Sequence, residues 1–203
     1  MGKRQAQAAA TQEQLLDAAR QVFASRGYQA ATVGAITQAA NTAHGTFYLY
    51  FRNKEDAFRR VMEEITGELY AESAAPWQPG DVQQSVRAAL RGFLEVFVRH
   101  RDLWRCVLEA SFTTPAIETA WLDIRRAFVD RSARHLRQLR DAGEIRELDP
   151  DIAANALGAM VEWAATTHFV LDRSPAPFDA VVDTLTDLWY HAVYAAAREP
   201  AGR

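Results

Sequence analysis

Residues 32–54, TVGAITQAANTAHGTFYLYFRNK, constrain the fold of this chain more than any other segment. The pattern predicts two short helices separated by a sharp corner. The first helix runs from Val33 to Ala40 with Thr32 as its N-cap. Asn41 occupies the corner, because asparagine is one of the few residues besides glycine that tolerate a left-handed backbone.

The second helix begins near Ala43, and its spacing separates core from surface. Phe47 and Phe51 stand four residues apart and so share one face, which we assign to the core. The rest of the helix then presents polar groups and rings to solvent, namely His44, Thr46, Tyr48 and Tyr50.

Residues 45–51 read GTFYLYF, residues 52–55 read RNKE, and residues 23–32 read FASRGYQAAT. This ordered set resembles the helix-turn-helix of tetracycline-repressor-like (TetR family) regulators. In that family the second helix commonly reads G-[ST]-[FLI]-Y-x-[YH]-F before Asn-Lys-Glu, and the upstream helix ends in F-x-x-x-G-[YF]-x-x-[TA]-[TS]. About 55 of the 203 residues carry the resemblance, and beyond residue 65 it is one of layout only.

The sequence departs from the family pattern at the corner. Asn41 and Thr42 stand where the family usually has glycine and an apolar residue, and Ala43 stands where serine or threonine often caps the second helix. Alanine has no side-chain acceptor, and the loss of a cap typically costs about 1 kcal/mol. We therefore expect a weakened helix start.

An α-helix fits the major groove of DNA, and the first residues of such a helix lie nearest the base edges. On this interpretation His44 donates to guanine, while hydroxyl and ammonium groups contact phosphate and fix the register. Thr32 caps its own helix, and the resemblance adds a phosphate contact. The predicted DNA-binding residues are Thr32, Thr42, Ala43, His44, Gly45, Thr46, Tyr48, Tyr50 and Lys54.

Charge is divided unevenly along the chain. Residues 1–60 hold eight Lys or Arg against four acids, which gives +4. Because the whole chain carries −3, the remaining residues carry −7. A positive head on an acidic body would orient the protein toward a phosphate backbone, although chance unevenness is the alternative.

Composition excludes several other classes of protein. No apolar run approaches the roughly 18 residues of a membrane span, and the N-terminus lacks the apolar stretch of a signal peptide, so we expect a cytoplasmic protein without membrane partners. The single cysteine, Cys106, cannot form an internal disulfide; we assign it to the core, with a redox sensor as the alternative.

Helical periodicity continues nearly to the end of the chain and predicts an all-α fold of about nine helices. We predict a three-helix DNA-binding head at residues 1–56 and an effector-binding and dimerisation body at residues 57–203. A capping box, Thr11-x-x-Gln14, opens the first helix after a mobile tail, and Gly27 ends it. Later helices start at Asn53, Asp81, Asp102, Thr114-Pro115, Asp149-Pro150 and Pro177-Phe178, with a loop at residues 75–80 and a stop at Gly143.

The resemblance implies that the two C-terminal helices pair with their copies in a homodimer, which would predict a palindromic operator. The apolar faces of these helices fit that role, with intramolecular core as the alternative. The predicted interface residues are Ile152, Ala156, Leu157, Met160, Val181, Leu185, Leu188, Trp189 and Ala192.

The resemblance also implies a small-molecule effector inside the body. The middle helices are rich in aromatic residues with a few polar groups nearby, which suits a flat or apolar ligand, although ordinary core is the alternative. The candidate pocket residues are Phe93, Phe97, Trp104, Leu108, Trp121, Phe128, Trp163, Thr167 and His168.

Two other function classes were weighed. A helical enzyme is disfavoured because the chain has no nucleotide-binding or catalytic motif, and its five histidines lack metal-ligand spacing, so we predict no enzyme activity, cofactor or metal. A helical dimer that binds only proteins would leave the basic head unexplained. Activation in place of repression stays open, since it depends on operator position.

Overall fold

The computed structural model describes residues 2–74, 81–172 and 176–194, so the predicted loop at 75–80 and the end of the last helix lie outside the described residues. The described ranges contain nine α-helices and no strand. The helices are α1 (Lys3–Ala30), α2 (Val33–Ala39), α3 (His44–Phe47), α4 (Lys54–Glu72), α5 (Val82–Arg99), α6 (Arg101–Ser111), α7 (Pro115–Asp141), α8 (Pro150–Ala165) and α9 (Phe178–Tyr194). A π-helical turn, Thr166–Val170, follows α8. The all-α prediction is confirmed.

Side-chain caps at four helix starts confirm the predicted boundaries. An oxygen of each cap accepts a backbone N–H in the first turn, which satisfies one of the donors that a helix start leaves free. The caps are Thr32, Asn53, Asp81 and Asp149, which accept from Ala35, Asp56, Gln84 and Ile152 at 3.1, 2.8, 3.0 and 3.0 Å. Helix α6 begins one residue before the predicted Asp102, with His100 as its N-cap.

The start of α1 was predicted wrongly. The helix begins at Lys3, and the segment expected to be a mobile tail is helical, because its alanine and glutamine residues have high helix propensity. Thr11 is therefore an interior residue whose hydroxyl donates to the Gln7 carbonyl at 3.0 Å. Gln14 does not close a capping box; its Nε2 donates to the Ala40 carbonyl at 2.8 Å and so ties α1 to the end of α2.

Two glycines adopt positive φ and change the direction of the chain. Gly27 has φ 75° and ψ 168° and breaks α1, after which one further turn reaches Ala30. Gly27 therefore ends the first of two helical segments, as predicted, and α1 comprises both segments. Gly143 has φ 73° and ends α7, as predicted.

The chain forms two compact units. One comprises residues 1–68 and 100–122, and the other comprises residues 69–99 and 123–203. Helices α4 and α7 each run from one unit into the other. The proposed domain boundary after residue 56 stays a prediction.

In the first unit, α1 packs against α2 and α6, and α2 packs against α3. An aromatic cluster joins α1 to α4: the Phe58 ring lies 4.9 Å from the ring of Phe23 and 5.1 Å from that of Tyr28. The predicted apolar stripe of α4 is buried throughout, at Phe58, Val61, Met62, Ile65 and Leu69. This packing fixes the elements that carry the corner.

In the second unit, α5 packs against α8 and α9, and α8 packs against α9. The end of α4 approaches α5 so closely that a Cβ atom on Gly92 would lie 2.1 Å from the Glu72 carbonyl oxygen. A buried cluster joins α7, α8 and α9 and consists of Ala133, Leu136, Ala154, Leu157 and Val193.

Candidate nucleic-acid interface

The corner between α2 and α3 has the predicted backbone. Asn41 adopts φ 49°, in the left-handed region. The next residue, Thr42, donates its N–H to the Thr37 carbonyl at 2.9 Å, and Gln14 binds the Ala40 carbonyl from α1. Hydrogen bonds from both sides therefore hold the corner.

Helix α3 is short, and three turn residues follow it. Ala43 has the extended backbone of an N-cap (φ −68°, ψ 146°) but makes no side-chain cap, as predicted. Phe47 and Phe51 are both buried, with their rings 5.2 Å apart, which confirms their assignment to the core. The Phe51 N–H donates to the Phe47 carbonyl at 3.0 Å, so helical spacing continues beyond the last residue of α3.

The start of α3 forms an open surface. Ala43, His44 and Gly45 are exposed. Apart from its chain neighbours and the backbone of its own helix, no heavy atom would lie within 4 Å of a Cβ atom on Gly45. Tyr48 is 54% exposed, and its ring lies 5.7 Å from the His44 ring. A surface of backbone, imidazole and phenol is thus accessible to a partner.

Among the other predicted DNA-binding residues, Thr42, Thr46 and Tyr50 are less accessible, whereas Thr32 is exposed. The Thr42 hydroxyl is buried and has no hydrogen-bond partner among the described residues, which disfavours a base contact from that hydroxyl; the contact stays a prediction. Thr46 and Tyr50 are partly buried. Thr32 is exposed; its hydroxyl accepts from Ala35 and can still donate to a phosphate.

Lys54 has a structural role within the first unit. Its Nζ donates to the Tyr28 carbonyl at 2.9 Å and lies 4.4 Å from the centroid of the Tyr28 ring. An ammonium group has three donors, so two remain for another acceptor. The phosphate contact of Lys54 stays a prediction, and the same side chain fastens the start of α4 to the end of α1.

Arg52 is a candidate phosphate contact to which we assigned no role from the sequence. Its side chain is 85% exposed, and its guanidinium lies 3.8 Å from the Asp56 carboxylate. The signal was present, since a basic residue in the turn after the aromatic helix is itself a candidate.

Asp56 organises this turn. Its Oδ2 accepts the Arg52 N–H at 3.1 Å, and its Oδ1 accepts from the Arg59 guanidinium at 2.7 Å. Burial alone would raise the pKa of Asp56, but these hydrogen bonds and the two arginine charges hold the pKa below its usual value. The turn is therefore fixed by an ionised carboxylate.

The positive charge of the head is smaller than residues 1–60 alone indicated. Glu63, Glu64 and Glu68 belong to the same compact unit, and through residue 68 the eight Lys or Arg face seven acids, a net charge of +1. Residues 100–122 of that unit add two arginines and three acids, so the formal charge of the unit is zero. Glu64 pairs with Arg20 of α1, and Glu63 pairs with two arginines of its own helix. Positive potential must come from individual exposed cations such as Arg52.

The predicted pocket residues fall in both compact units. Phe93, Phe97 and Phe128 cluster in the second unit: the Phe93 ring lies 5.9 Å from each of the other two. Trp104, Leu108 and Trp121 belong to the first unit. Thr167 and His168 lie in the π-helical turn, where the Thr167 hydroxyl donates to the Trp163 carbonyl at 3.0 Å.

Trp163 is 62% exposed in the single chain, which disfavours its predicted place in a pocket. It stands eleven residues after Ile152 and seven after Ala156, so all three lie on one exposed face of α8. Ile152 is 71% exposed, and Leu188 of α9 is 51% exposed. Met160, Trp189 and Ala192 are partly buried.

Three predicted interface residues belong instead to the protomer's own core. Leu157, Val181 and Leu185 are buried within the single chain, because their faces of α8 and α9 pack against α5, α7 and each other. We remove these three from the interface assignment. The exposed apolar residues of α8 and α9 remain.

Cys106 is buried, and its Sγ donates to the Phe23 carbonyl at 3.1 Å. Burial, followed by the Glu109 charge, raises the pKa of this thiol to about 11, which favours the core assignment over a redox sensor.

Within the described ranges, no three His, Cys, Asp or Glu residues are grouped to hold a metal ion. None of the helices described here is both long and apolar enough to cross a membrane.

Sequence and structure comparisons agree with this architecture. Residues 15–61 match the family described as bacterial regulatory proteins, tetR family, and residues 86–195 match the C-terminal domain of the transcriptional regulator EthR. The HTH-type transcriptional regulator EthR of Mycolicibacterium smegmatis is 21% identical over 183 residues, which cover 89% of this chain and 84% of the relative. The HTH-type transcriptional repressor DhaR of Mycobacterium sp. (strain GP1) is 26% identical over 174 residues, covering 82% and 86%.

The fold is also that of a solved structure. The fatty acid degradation regulator FadR from Bacillus halodurans superposes with a TM-score of 0.73 at 21% identity, over 93% of this chain and 95% of that chain. A helix-turn-helix head on a helical body, matched in sequence over both parts, thus defines the chain as a transcriptional regulator that belongs to the TetR family.

Proposed function

We propose that this protein is a ligand-responsive repressor that binds a palindromic DNA operator as a homodimer and is released by a small apolar effector. The observation that carries the proposal is the uncovered start of α3, where Ala43, His44 and Gly45 face solvent. A recognition helix presents its first residues to the base edges, and these three positions are free to enter a groove.

Base reading and backbone contact fall to different residues. His44 is the side chain that can donate to a guanine edge, while Gly45 allows close approach of the backbone. We assign Tyr48, Arg52 and Thr32, which are all exposed, to phosphate contacts, which fix register without reading sequence. This division predicts different consequences for the two kinds of variant.

The homodimer would use the exposed apolar face of α8 and α9. Ile152, Trp163 and Leu188 leave large apolar side chains in solvent in the single chain, and Ala156 is exposed on the same face of α8, which favours burial against a second copy. A two-fold axis would then place two recognition helices about 34–36 Å apart, one turn of B-DNA. Palindromic half-sites follow from that symmetry.

The names of two similar proteins support the proposals of repression and of an apolar effector. DhaR is named a repressor, which supports repression by this chain. FadR of B. halodurans is named a regulator of fatty acid degradation, which supports a connection with small apolar molecules. Activation by the same fold is the alternative, decided by where the operator lies.

Family members are regulators and in general not enzymes, and we place this one in the cytoplasm, where its DNA would be.

The test is fluorescence anisotropy with DNA that flanks the protein's own gene. We expect Arg52→Ala to weaken binding to every sequence similarly and to reduce the salt slope by about one. His44→Ala should change the preferred base at one position of each half-site. Arg126→Ala is the matched control, because that arginine of the second unit is 72% exposed and pairs with Asp123 nearby on its own helix.

Arg52 is a sharper probe than Lys54, because Lys54→Ala would also remove the contact with the Tyr28 carbonyl. Failure of the unaltered protein to bind any flanking duplex in a sequence-dependent, salt-sensitive manner would contradict the proposal. Identical behaviour of Arg52→Ala and His44→Ala would contradict the division of roles. The dimer is tested by Trp163→Glu, which should yield monomers in sedimentation velocity.

A further inference from the structure

Arg131 of α7 lies inside an aromatic cluster of the second unit. Its guanidinium carbon lies 4.8 Å from the centroid of the Tyr70 ring and 5.2 Å from that of Phe128. These two rings stack at 4.2 Å and 10°, and Phe93 meets Phe128 edge-on. A cation is thus held against flat apolar surfaces that α4, α5 and α7 supply.

This cation has no acidic partner among the residues that the structure describes. Its one hydrogen bond runs from Nη2 to the Ser73 hydroxyl at 2.8 Å. Other partly buried arginines of the same unit are paired, Arg87 with Asp183 at 2.7 Å and Arg125 with Glu162 at 2.9 Å. Arg131 therefore differs from these two arginines, because no carboxylate of the described residues pairs with it.

Arg131 is partly buried, and the N–H donors that Ser73 does not occupy are open to water or to an anion. Burial lowers the pKa of Arg131, since desolvation disfavours the charged form. The guanidinium has five N–H donors in a fixed fork, of which Ser73 occupies one. A carboxylate would accept two of the others side by side, a geometry that a neutral group does not match.

We propose that Arg131 recognises the carboxylate of the effector, and that the effector is an organic acid with an apolar body that lies against the rings of Tyr70, Phe93 and Phe128. This inference rests on the proposed function and narrows its effector to one chemical class. An amide or ester with the same apolar body would lack the charge that pairs with the guanidinium.

The same contacts connect recognition to α4. Tyr70 and Ser73 belong to the end of α4 and the residue after it, and α4 begins at Lys54, directly after the turn that follows the recognition helix. A carboxylate that accepts two of the other Arg131 donors draws the guanidinium toward itself and weakens its hydrogen bond to the Ser73 hydroxyl. Ligand binding thereby loosens the hold of α7 on the end of α4, which is the differential contact that a switch between two conformations requires.

The experiment measures binding to the full-length protein without DNA by isothermal titration calorimetry. The probes are two acids, 2-naphthoate and decanoate, and the two matched amides, 2-naphthamide and decanamide. We expect at least one acid to bind saturably, and its amide to bind at least tenfold more weakly. Arg131→Met, which keeps an unbranched apolar side chain, should weaken the acid at least tenfold and leave the amide unchanged.

Arg126→Met is the matched control on the same helix and should bind the acids like the unaltered protein. Thermal melts of both variants establish that they are folded, and Arg131→Lys provides a second variant that keeps the charge but loses the fork. The proposal is overturned if neither acid binds at millimolar concentration, if the amides bind as tightly as the acids, or if Arg131→Met binds the acids normally. Anisotropy with the flanking DNA, measured without any acid, tests the proposed function separately.

Discussion

Replacement of Gly92 by alanine is the most direct test of how α5 meets the end of α4. A Cβ atom there would lie 2.1 Å from the Glu72 carbonyl oxygen and 2.8 Å from its carbonyl carbon. Ordinary contacts of this kind begin near 3.4 Å, so the two backbones must separate by more than 1 Å. Neither atom belongs to a flexible side chain, and the strain cannot be relieved by a rotamer change.

Helix propensity and overpacking act in opposite directions on the free energy of unfolding of Gly92→Ala. Alanine favours a helix over glycine by about 1 kcal/mol, whereas overpacking in a closely packed region costs about 1–3 kcal/mol and more where backbone must move. We expect Gly92→Ala to lose about 2 kcal/mol in the free energy of unfolding, a fall of about 4–8 °C in Tm for a chain of this size. The end of α4 should also shift.

Gly67→Ala is the matched control. Gly67 lies inside α4, is exposed, and a Cβ there would meet nothing within 4 Å, so the propensity gain should stabilise the protein by about 0.4–1 kcal/mol. Thermal and urea unfolding at one fixed protein concentration compare the two variants, since an oligomer's Tm depends on concentration. A Gly92→Ala protein as stable as Gly67→Ala would refute the close packing.

Three further predictions concern the first unit. Ala43→Ser should supply the missing cap of α3 and raise the free energy of unfolding by about 1 kcal/mol, measured by urea denaturation. Asp56→Asn should cost about 1 kcal/mol at neutral pH. Because the folded-state pKa of Asp56 is lowered, its stabilisation is present above the unfolded value of 3.8 and is lost as pH falls through the folded value, so melts of the two proteins should converge in acid. Cys106 should react with a thiol reagent such as DTNB only on unfolding, because its pKa is about 11 and its side chain is buried; rapid labelling of the native protein would contradict this.

Structural features with local causes could be predicted from the sequence, whereas features with distant causes could not. The caps at Thr32, Asn53, Asp81 and Asp149 and the left-handed Asn41 were predictable, since each involves hydrogen bonds or backbone preferences within a few residues. The start of α1 differs from the prediction because the alanines before Thr11 have high helix propensity and extend the helix back to Lys3, past the Thr11-x-x-Gln14 pattern.

The sequence by itself determined the helices, the corner and the pairing of Phe47 with Phe51, because these depend on spacing along one helix. Only the tertiary structure decided which groups those helices leave free. Lys54 binds the Tyr28 carbonyl 26 residues away, and Arg20 pairs with Glu64. Leu157 is buried while Trp163 on the same helix is exposed, since periodicity defines a face but not the element that covers it.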